Sequence, residues 1–221
     1  MTPSRFACLV VAAAAALGWS AEAQKPPQSL QMGGAKSVTR FFITSRGLGR
    51  GGNLGGLAGA DAHCQALAKA EGSGDHMWRA YLSTMATGTA PAVNARDRIG
   101  KGPWYNALGD RIALNVEQLH GGKNAIDLEN AVTERGEPVK LEVHDILTGS
   151  RPDGTAFPGT GDLTCSNWTS SSRGRAQVGH HDRMGEPPER SWNSAHASRG
   201  CSQQDLQATG GAGLFYCFAN D

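Results

Sequence analysis

The segment Gly213-Leu214-Phe215-Tyr216-Cys217-Phe218-Ala219 (GLFYCFA) lies at the end of the chain. It is rich in aromatic and apolar residues, as buried strands are. Successive side chains of a strand point to opposite faces. One face therefore carries Leu214, Tyr216 and Phe218, and the other carries Phe215 and Cys217. The segment predicts a closing strand that is apolar on both faces and holds a cysteine.

Cys217 belongs to a set of four cysteines that remain once a predicted leader is removed. The other three are Cys64, Cys165 and Cys201, while Cys8 lies within the leader. An even number of cysteines in an exported protein indicates a disulfide framework. Four cysteines allow three pairings, and their spacing does not choose between them.

The N-terminal residues predict a secretory signal peptide over 1–23. Arg5 supplies the positive charge, Phe6 to Gly18 form a short apolar run, and Ala21-Glu22-Ala23 is a small-x-small cleavage motif. Residues 24–37 are polar and contain Pro and Gly pairs, which is typical of a flexible linker. No later apolar run is long enough to cross a bilayer. We therefore expect a secreted or periplasmic protein with one domain over 38–221.

The overall composition excludes some functions and favours a loop-rich fold. The 21 basic and 20 acidic residues give a formal net charge of +1, whereas a general nucleic-acid binder would carry a basic excess. The 30 glycines and the low aromatic content of 6% predict many turns. We therefore expect no nucleic-acid partner.

The pattern along the domain predicts a mixed α+β fold with long loops. A helix is expected between Asp61, as its cap, and Gly72, with one apolar face. Short strands are expected around residues 38–45, 78–83, 112–116 and 139–147. Residues 120–137 are polar and are expected to form an excursion from the domain, and they contain no motif that indicates a role. Residues 159–200 are expected to be mostly loops.

Several motifs, in order along the chain, resemble those of endostatin, the C-terminal module of collagens XV and XVIII. They are Gly52 to Cys64, Trp78 to Ser83, Pro103-Trp104 with Gly109 to Ile112, Thr148 to Gly154, Cys165 to Trp168 and Tyr216 to Phe218. The resemblance covers about Val38 to Ala219. It implies the C-type-lectin-like fold and the nested disulfides Cys64–Cys217 and Cys165–Cys201. The alanine-rich signal suggests a bacterial secreted homologue.

The binding functions of endostatin do not follow from this resemblance. Endostatin binds heparan sulfate through surface arginines and holds zinc near its N-terminus. Arg79 lies in a matching motif, but Ala58 stands where the family has an arginine. The histidines of the zinc site have no counterpart in Gln24 to Lys36.

Calcium is not an expected cofactor. Calcium-dependent lectins coordinate the ion with oxygens from a Glu-Pro-Asn motif and a Trp-Asn-Asp motif. This chain has Glu186-Pro187-Pro188 and Trp192-Asn193-Ser194 instead. Pro188 and Ser194 lack the amide and carboxylate oxygens that a hard cation needs.

A cluster of late histidines suggests a site for zinc or another transition metal. His180, Asp182 and His196 together offer two imidazoles and a carboxylate, which suit such ions. A catalytic zinc site needs about three protein ligands and an open position. The alternative is that these are loop histidines that bond to backbone groups.

A second candidate site could bind an acidic glycan. Guanidinium groups bind sulfate and carboxylate in a bidentate manner, and tryptophan rings stack on ligands. The candidate residues are Trp168, Arg173, Arg175, Trp192 and Asn193. The leading hypothesis is thus a non-enzymatic binding module for a glycan or a cell-surface or matrix protein. The alternatives are a secreted metal-dependent hydrolase that uses His180, Asp182 and His196, and a structural envelope domain.

Overall fold

The structure is a computed structural model that describes Met1 and residues 36–221. The predicted signal peptide 1–23 (beyond Met1) and most of the predicted linker 24–37 lie outside the described residues. Residues 36–221 belong to one compact unit. The last linker residue, Ser37, already contacts the domain, because its carbonyl accepts a 2.7 Å hydrogen bond from the buried His76 ring.

The domain contains eight short strands and four short helical segments within the described residues. The strands are β1 (Phe41–Ile43), β2 (Trp78–Ala80), β3 (Trp104–Tyr105), β4 (Arg111–Ala113), β5 (Asp145–Leu147), β6 (Gln177–His180), β7 (His196–Ala197) and β8 (Gly211–Ala219). The helical segments are α1 (Gly56–Ala70), α2 (Val116–His120), α3 (Cys165–Trp168), which is a left-handed turn with positive φ at all four residues, and α4 (Gln203–Gln207). Two 3-10 turns lie at Ala95–Asp97 and Leu141–Val143. The α+β class is therefore confirmed.

Strand β8 is the centre of a six-stranded sheet with the order β1-β8-β5-β6-β7, and β2 also pairs with β8. Strands β1 and β2 are antiparallel to its C-terminal half, while β5 is parallel to its N-terminal half. Strands β3 and β4 form a separate hairpin. The closing segment predicted from sequence thus forms the strand that organises the sheet.

Each face of β8 packs into its own apolar cluster. Phe215 and Cys217 lie in one cluster with Trp78, Leu147 and the other three disulfide cysteines. Leu214, Tyr216 and Phe218 lie in the other, which also contains Phe41, Trp104 and Trp192. The division follows the alternation of side chains along the strand.

Helix α1 was predicted correctly in its buried face but not in its start. Ala60, Cys64, Leu67 and Ala68 are all buried, and Gly72 follows the helix in a left-handed conformation. However, the helix begins at Gly56, and Asp61 lies inside it. The buried Asp61 carboxylate accepts hydrogen bonds from Arg79, Arg98 and the Ala80 backbone. Asp61 therefore fastens α1 to β2 and is not a cap.

Two other regions differ from the expectations. Residues 120–137 include Ile126, Ala131 and Val132 in the core, and the Val132 carbonyl accepts a hydrogen bond from Ile43. Residues 159–200 contribute β6 and β7 to the main sheet. Both regions are polar overall, so the sequence did not predict their contributions to the core and to the sheet. A few apolar residues suffice to anchor such a long connection. None of the described helices is long and apolar enough to span a membrane.

Two disulfides crosslink this loop-rich domain. Cys64 on α1 is bonded to Cys217 on β8, 153 residues apart, and Cys165 is bonded to Cys201, 36 residues apart. This is the nested pairing. All four cysteines are buried in the same apolar cluster.

Removing the outer disulfide should destabilise the domain more than removing the inner one. In the chain-entropy description, the loop closed by Cys64 and Cys217 contributes about 4–5 kcal/mol and the shorter loop about 3–4 kcal/mol. We expect Cys64→Ala with Cys217→Ala to lower the free energy of unfolding, measured in urea, by more than the Cys165→Ala, Cys201→Ala pair. The reverse order would contradict this explanation.

Candidate metal centre

Strand register brings three potential metal ligands onto one face of the sheet. Asp145 on β5 is directly opposite His180 on β6. His196 on β7 is opposite Val178, which lies two residues before His180. Because residues two apart in a strand share a face, Asp145, His180 and His196 lie on the same face as neighbours.

The segment between His180 and His196 folds back and packs closely against β6. The Ser191 carbonyl accepts a hydrogen bond from the His180 backbone, and the Val178 carbonyl accepts one from Ala195. A Cβ on Gly179 would lie 1.9 Å from the Trp192 carbonyl oxygen. Glycine is therefore required at this position, since any side chain would displace the segment that leads to His196.

The three ligand atoms form a compact triangle. The Nε2 atoms of His180 and His196 are 3.0 Å apart. They lie 3.1 Å and 3.4 Å from Oδ1 of Asp145. Zinc binds nitrogen and oxygen ligands at about 2.0–2.2 Å, so its tetrahedral ligands are about 3.3 Å from one another. The triangle already has the spacing that a tetrahedral ion requires.

The Asp145 carboxylate is buried, with a side chain only 2% exposed. Neither of its oxygens has a well-directed hydrogen bond among the described residues. The imidazole nitrogens lie within hydrogen-bonding distance but not in hydrogen-bonding directions, so we treat these contacts as electrostatic. A buried carboxylate that lacks directed donors is costly unless a cation compensates it.

The histidines shift the ionisation of Asp145. Burial alone would raise its pKa, but the imidazoles of His180 and His196 outweigh this effect and lower the pKa to about 2. The contact with Asp145 in turn raises the pKa of His196. The carboxylate is thus ionised and available as a ligand throughout the neutral range.

Asp182, which the sequence analysis grouped with His180 and His196, lies elsewhere in the cluster. Its Oδ2 atom is 3.4 Å from Nδ1 of His144. Asp145 takes the predicted place of Asp182 because β5 pairs with β6, whereas Asp182 follows the end of β6. Neither His144 nor Asp145 was predicted as a ligand from the sequence. The only signal was their position in the predicted strand 139–147, which gives no register.

His181 lies beside the cluster but is unsuitable as a ligand. It is fully buried, and its ring nitrogens have no hydrogen-bond partner among the described residues. Burial lowers its pKa to about 4, so the ring is neutral near pH 7. His181 is the first residue of the turn after β6 and belongs to neither group of candidate ligands whose atoms lie within 4.8 Å of one another.

The residues predicted to bind a glycan do not form one surface. Trp168, Trp192 and Asn193 are buried, whereas Arg173 and Arg175 are exposed. The Trp168 indole donates a 2.7 Å hydrogen bond to the Ser83 carbonyl, and the Trp192 carbonyl accepts one from Tyr216. The prediction that these tryptophans stack on a ligand is therefore wrong, because their rings fill the core.

The different positions of Trp168 and Arg175 predict different effects of truncation. Trp168→Ala should lower the free energy of unfolding by about 3–5 kcal/mol, as for other buried aromatic residues. Arg175→Ala should change it by no more than about 0.5 kcal/mol. Urea denaturation measures both values. A similar small loss for the two variants would show that Trp168 is not a core residue.

No protein-family model matches this chain, and no curated protein matches it. The functional conclusion therefore depends on the chemistry of the site itself.

Proposed function

We propose that this protein is an extracytoplasmic domain that binds one transition-metal ion through Asp145, His180 and His196. The observation that carries the proposal is the buried Asp145 carboxylate, whose Oδ1 lies 3.1 Å and 3.4 Å from two imidazole nitrogens. Two disulfides support an oxidising compartment, since such bonds persist mainly outside the cytoplasm.

The ligand set favours zinc or a similar transition metal over calcium and magnesium. Two imidazoles and one carboxylate suit zinc, copper, nickel or cobalt. Calcium prefers six to eight oxygen ligands, and magnesium prefers an octahedron of oxygens. The site offers one buried carboxylate and two nitrogens, so calcium and magnesium should bind poorly.

The proposed fold is the C-type-lectin-like fold of endostatin. The ordered motifs of the sequence support it, as do the nested disulfides and the α+β arrangement around β8. Under this proposal the metal ligands Asp145, His180 and His196 lie outside the N-terminal segment that holds zinc in endostatin.

A second candidate function is metal-dependent hydrolysis. The observation in its favour is that the His196 side chain is 34% exposed, so one side of the triangle faces solvent. Three protein ligands and an open position characterise catalytic zinc sites. Binding of an acidic glycan or of a surface protein through the exposed Arg173 and Arg175 stays a prediction.

Metal content tests the main proposal. The mature, untagged protein with intact disulfides should carry about one zinc ion per chain after zinc loading and dialysis, as measured by elemental mass spectrometry. His196→Ala and Asp145→Asn should each lose the ion. His63→Ala is the matched control, because His63 lies on α1 and bonds to the Arg46 carbonyl. Retention of zinc by both site variants would refute the proposal.

Hydrolysis has a separate test. The zinc-loaded protein should cleave chromogenic carboxylate or phosphate esters faster than the metal-free protein and faster than His196→Ala. Equal rates for all three preparations would show that the protein binds metal but does not catalyse the hydrolysis of these esters.

A further inference from the structure

His144 lies directly beside the triangle of ligand atoms. Its Nε2 atom is 3.5 Å from Oδ1 of Asp145, close to the separation of about 3.3 Å expected between tetrahedral ligands. The Asp145 oxygen therefore has three imidazole nitrogens around it, from His144, His180 and His196. Structural zinc sites have four protein ligands, so His144 is the candidate for the fourth.

The second nitrogen of His144 contacts Asp182. The Nδ1 atom of His144 is 3.4 Å from Oδ2 of Asp182, and the Asp182 side chain is 2% exposed. Metal-binding histidines usually donate their other ring N–H to a carboxylate, which fixes the tautomer and raises the basicity of the ligand nitrogen. The contact is electrostatic in this structure, and a hydrogen bond from Nδ1–H to Asp182 would leave the Nε2 lone pair for a metal.

The surroundings of His144 leave room for its Nε2 atom. A Cβ on Gly210 would lie 2.8 Å from this nitrogen, and Gly210 has a φ of +94°. His144 stacks on His180, with 4.4 Å between the ring centroids and 18° between the planes. Two nearly parallel rings cannot both hold one ion in their planes, so ligation requires His144 to turn, and its contacts with Asp145 and Asp182 describe the ring before that turn. Its side chain is 33% exposed, which permits this rotation.

We infer that His144 is the fourth ligand of the metal and that Asp182 is the residue that positions it. This inference rests on the proposed function, because it assumes an ion at Asp145, His180 and His196. With His144 stacked on His180, as in this structure, the ion keeps an open position and remains accessible to a substrate. With His144 bound, the ion is enclosed by four protein ligands and has a structural role.

The same residues allow one competing arrangement. His144, His180 and Asp182 could hold a second ion, since one ligand atom from each lies within 4.8 Å of the others. Both arrangements require His144 to turn out of its stack on His180, so the stacking does not distinguish them. The two arrangements differ in stoichiometry, which is one ion per chain for a fourth ligand and two for a second site.

The experiment compares the zinc affinity of the intact protein with that of His144→Ala, Asp182→Asn and the double variant, by competition with a chelator. The visible spectrum of the cobalt(II) form reports the ligand set. We expect His144→Ala to raise the zinc Kd at least tenfold and to change the cobalt spectrum. Asp182→Asn should raise the Kd about 10–100-fold. In the His144→Ala background, Asp182→Asn should have no further effect, because a positioning residue acts only through its ligand.

His196→Ala and His63→Ala complete the set, and urea midpoints of the metal-free variants verify folding. An unchanged Kd and cobalt spectrum for His144→Ala, with loss of zinc in His196→Ala, would overturn the inference and leave the proposed function intact. Two ions per chain, one of which disappears in His144→Ala, would also overturn it in favour of a second site. Zinc retained by both His196→Ala and Asp145→Asn would instead remove the proposed function.

Discussion

The fold depends on the burial of β8 from every side. Its two faces enter two apolar clusters, and its backbone bonds to β1, β2 and β5. Cys217 on this strand is bonded to Cys64 on α1. A strand that pairs along both edges fixes the register of its neighbours, because a shift by one residue would move apolar side chains to the wrong face. The parallel pairing with β5 places Asp145 at the edge of the apolar region.

Because it is buried at this position, the Asp145 carboxylate needs a compensating positive charge. A carboxylate in a sheet costs free energy when it is buried without donors, and evolution usually avoids this arrangement unless the charge is compensated. Here the compensation comes from imidazoles on two adjacent strands and from a third imidazole that precedes β5. Histidines compensate a carboxylate fully only when they are protonated, whereas a bound cation does so at any pH at which the histidines are neutral.

Under the proposed function, the metal would be a third crosslink in a chain that relies on crosslinks. The outer disulfide joins α1 to β8, and the inner one joins α3 to the segment before α4. Neither bond includes β5, β6 or β7. An ion at Asp145, His180 and His196 would connect these three strands, which are short and border the exposed loop 183–190. Such a role fits a loop-rich domain with short strands, since crosslinks offset part of its conformational entropy.

The sequence by itself determined the α+β class, the two faces of β8 and the apolar face of α1, because local alternation and helical spacing are properties of neighbouring residues. It also identified His180 and His196 as candidate ligands, since their chemistry is visible in their residue types. The tertiary structure decided the rest. Trp168 and Trp192 are core residues, and only their burial in the folded domain shows this. Asp145, and not Asp182, lies beside the two histidines. Strand register joins residues 35 positions apart, from Asp145 to His180, and nothing in the local pattern of either strand specifies which residues become opposite partners.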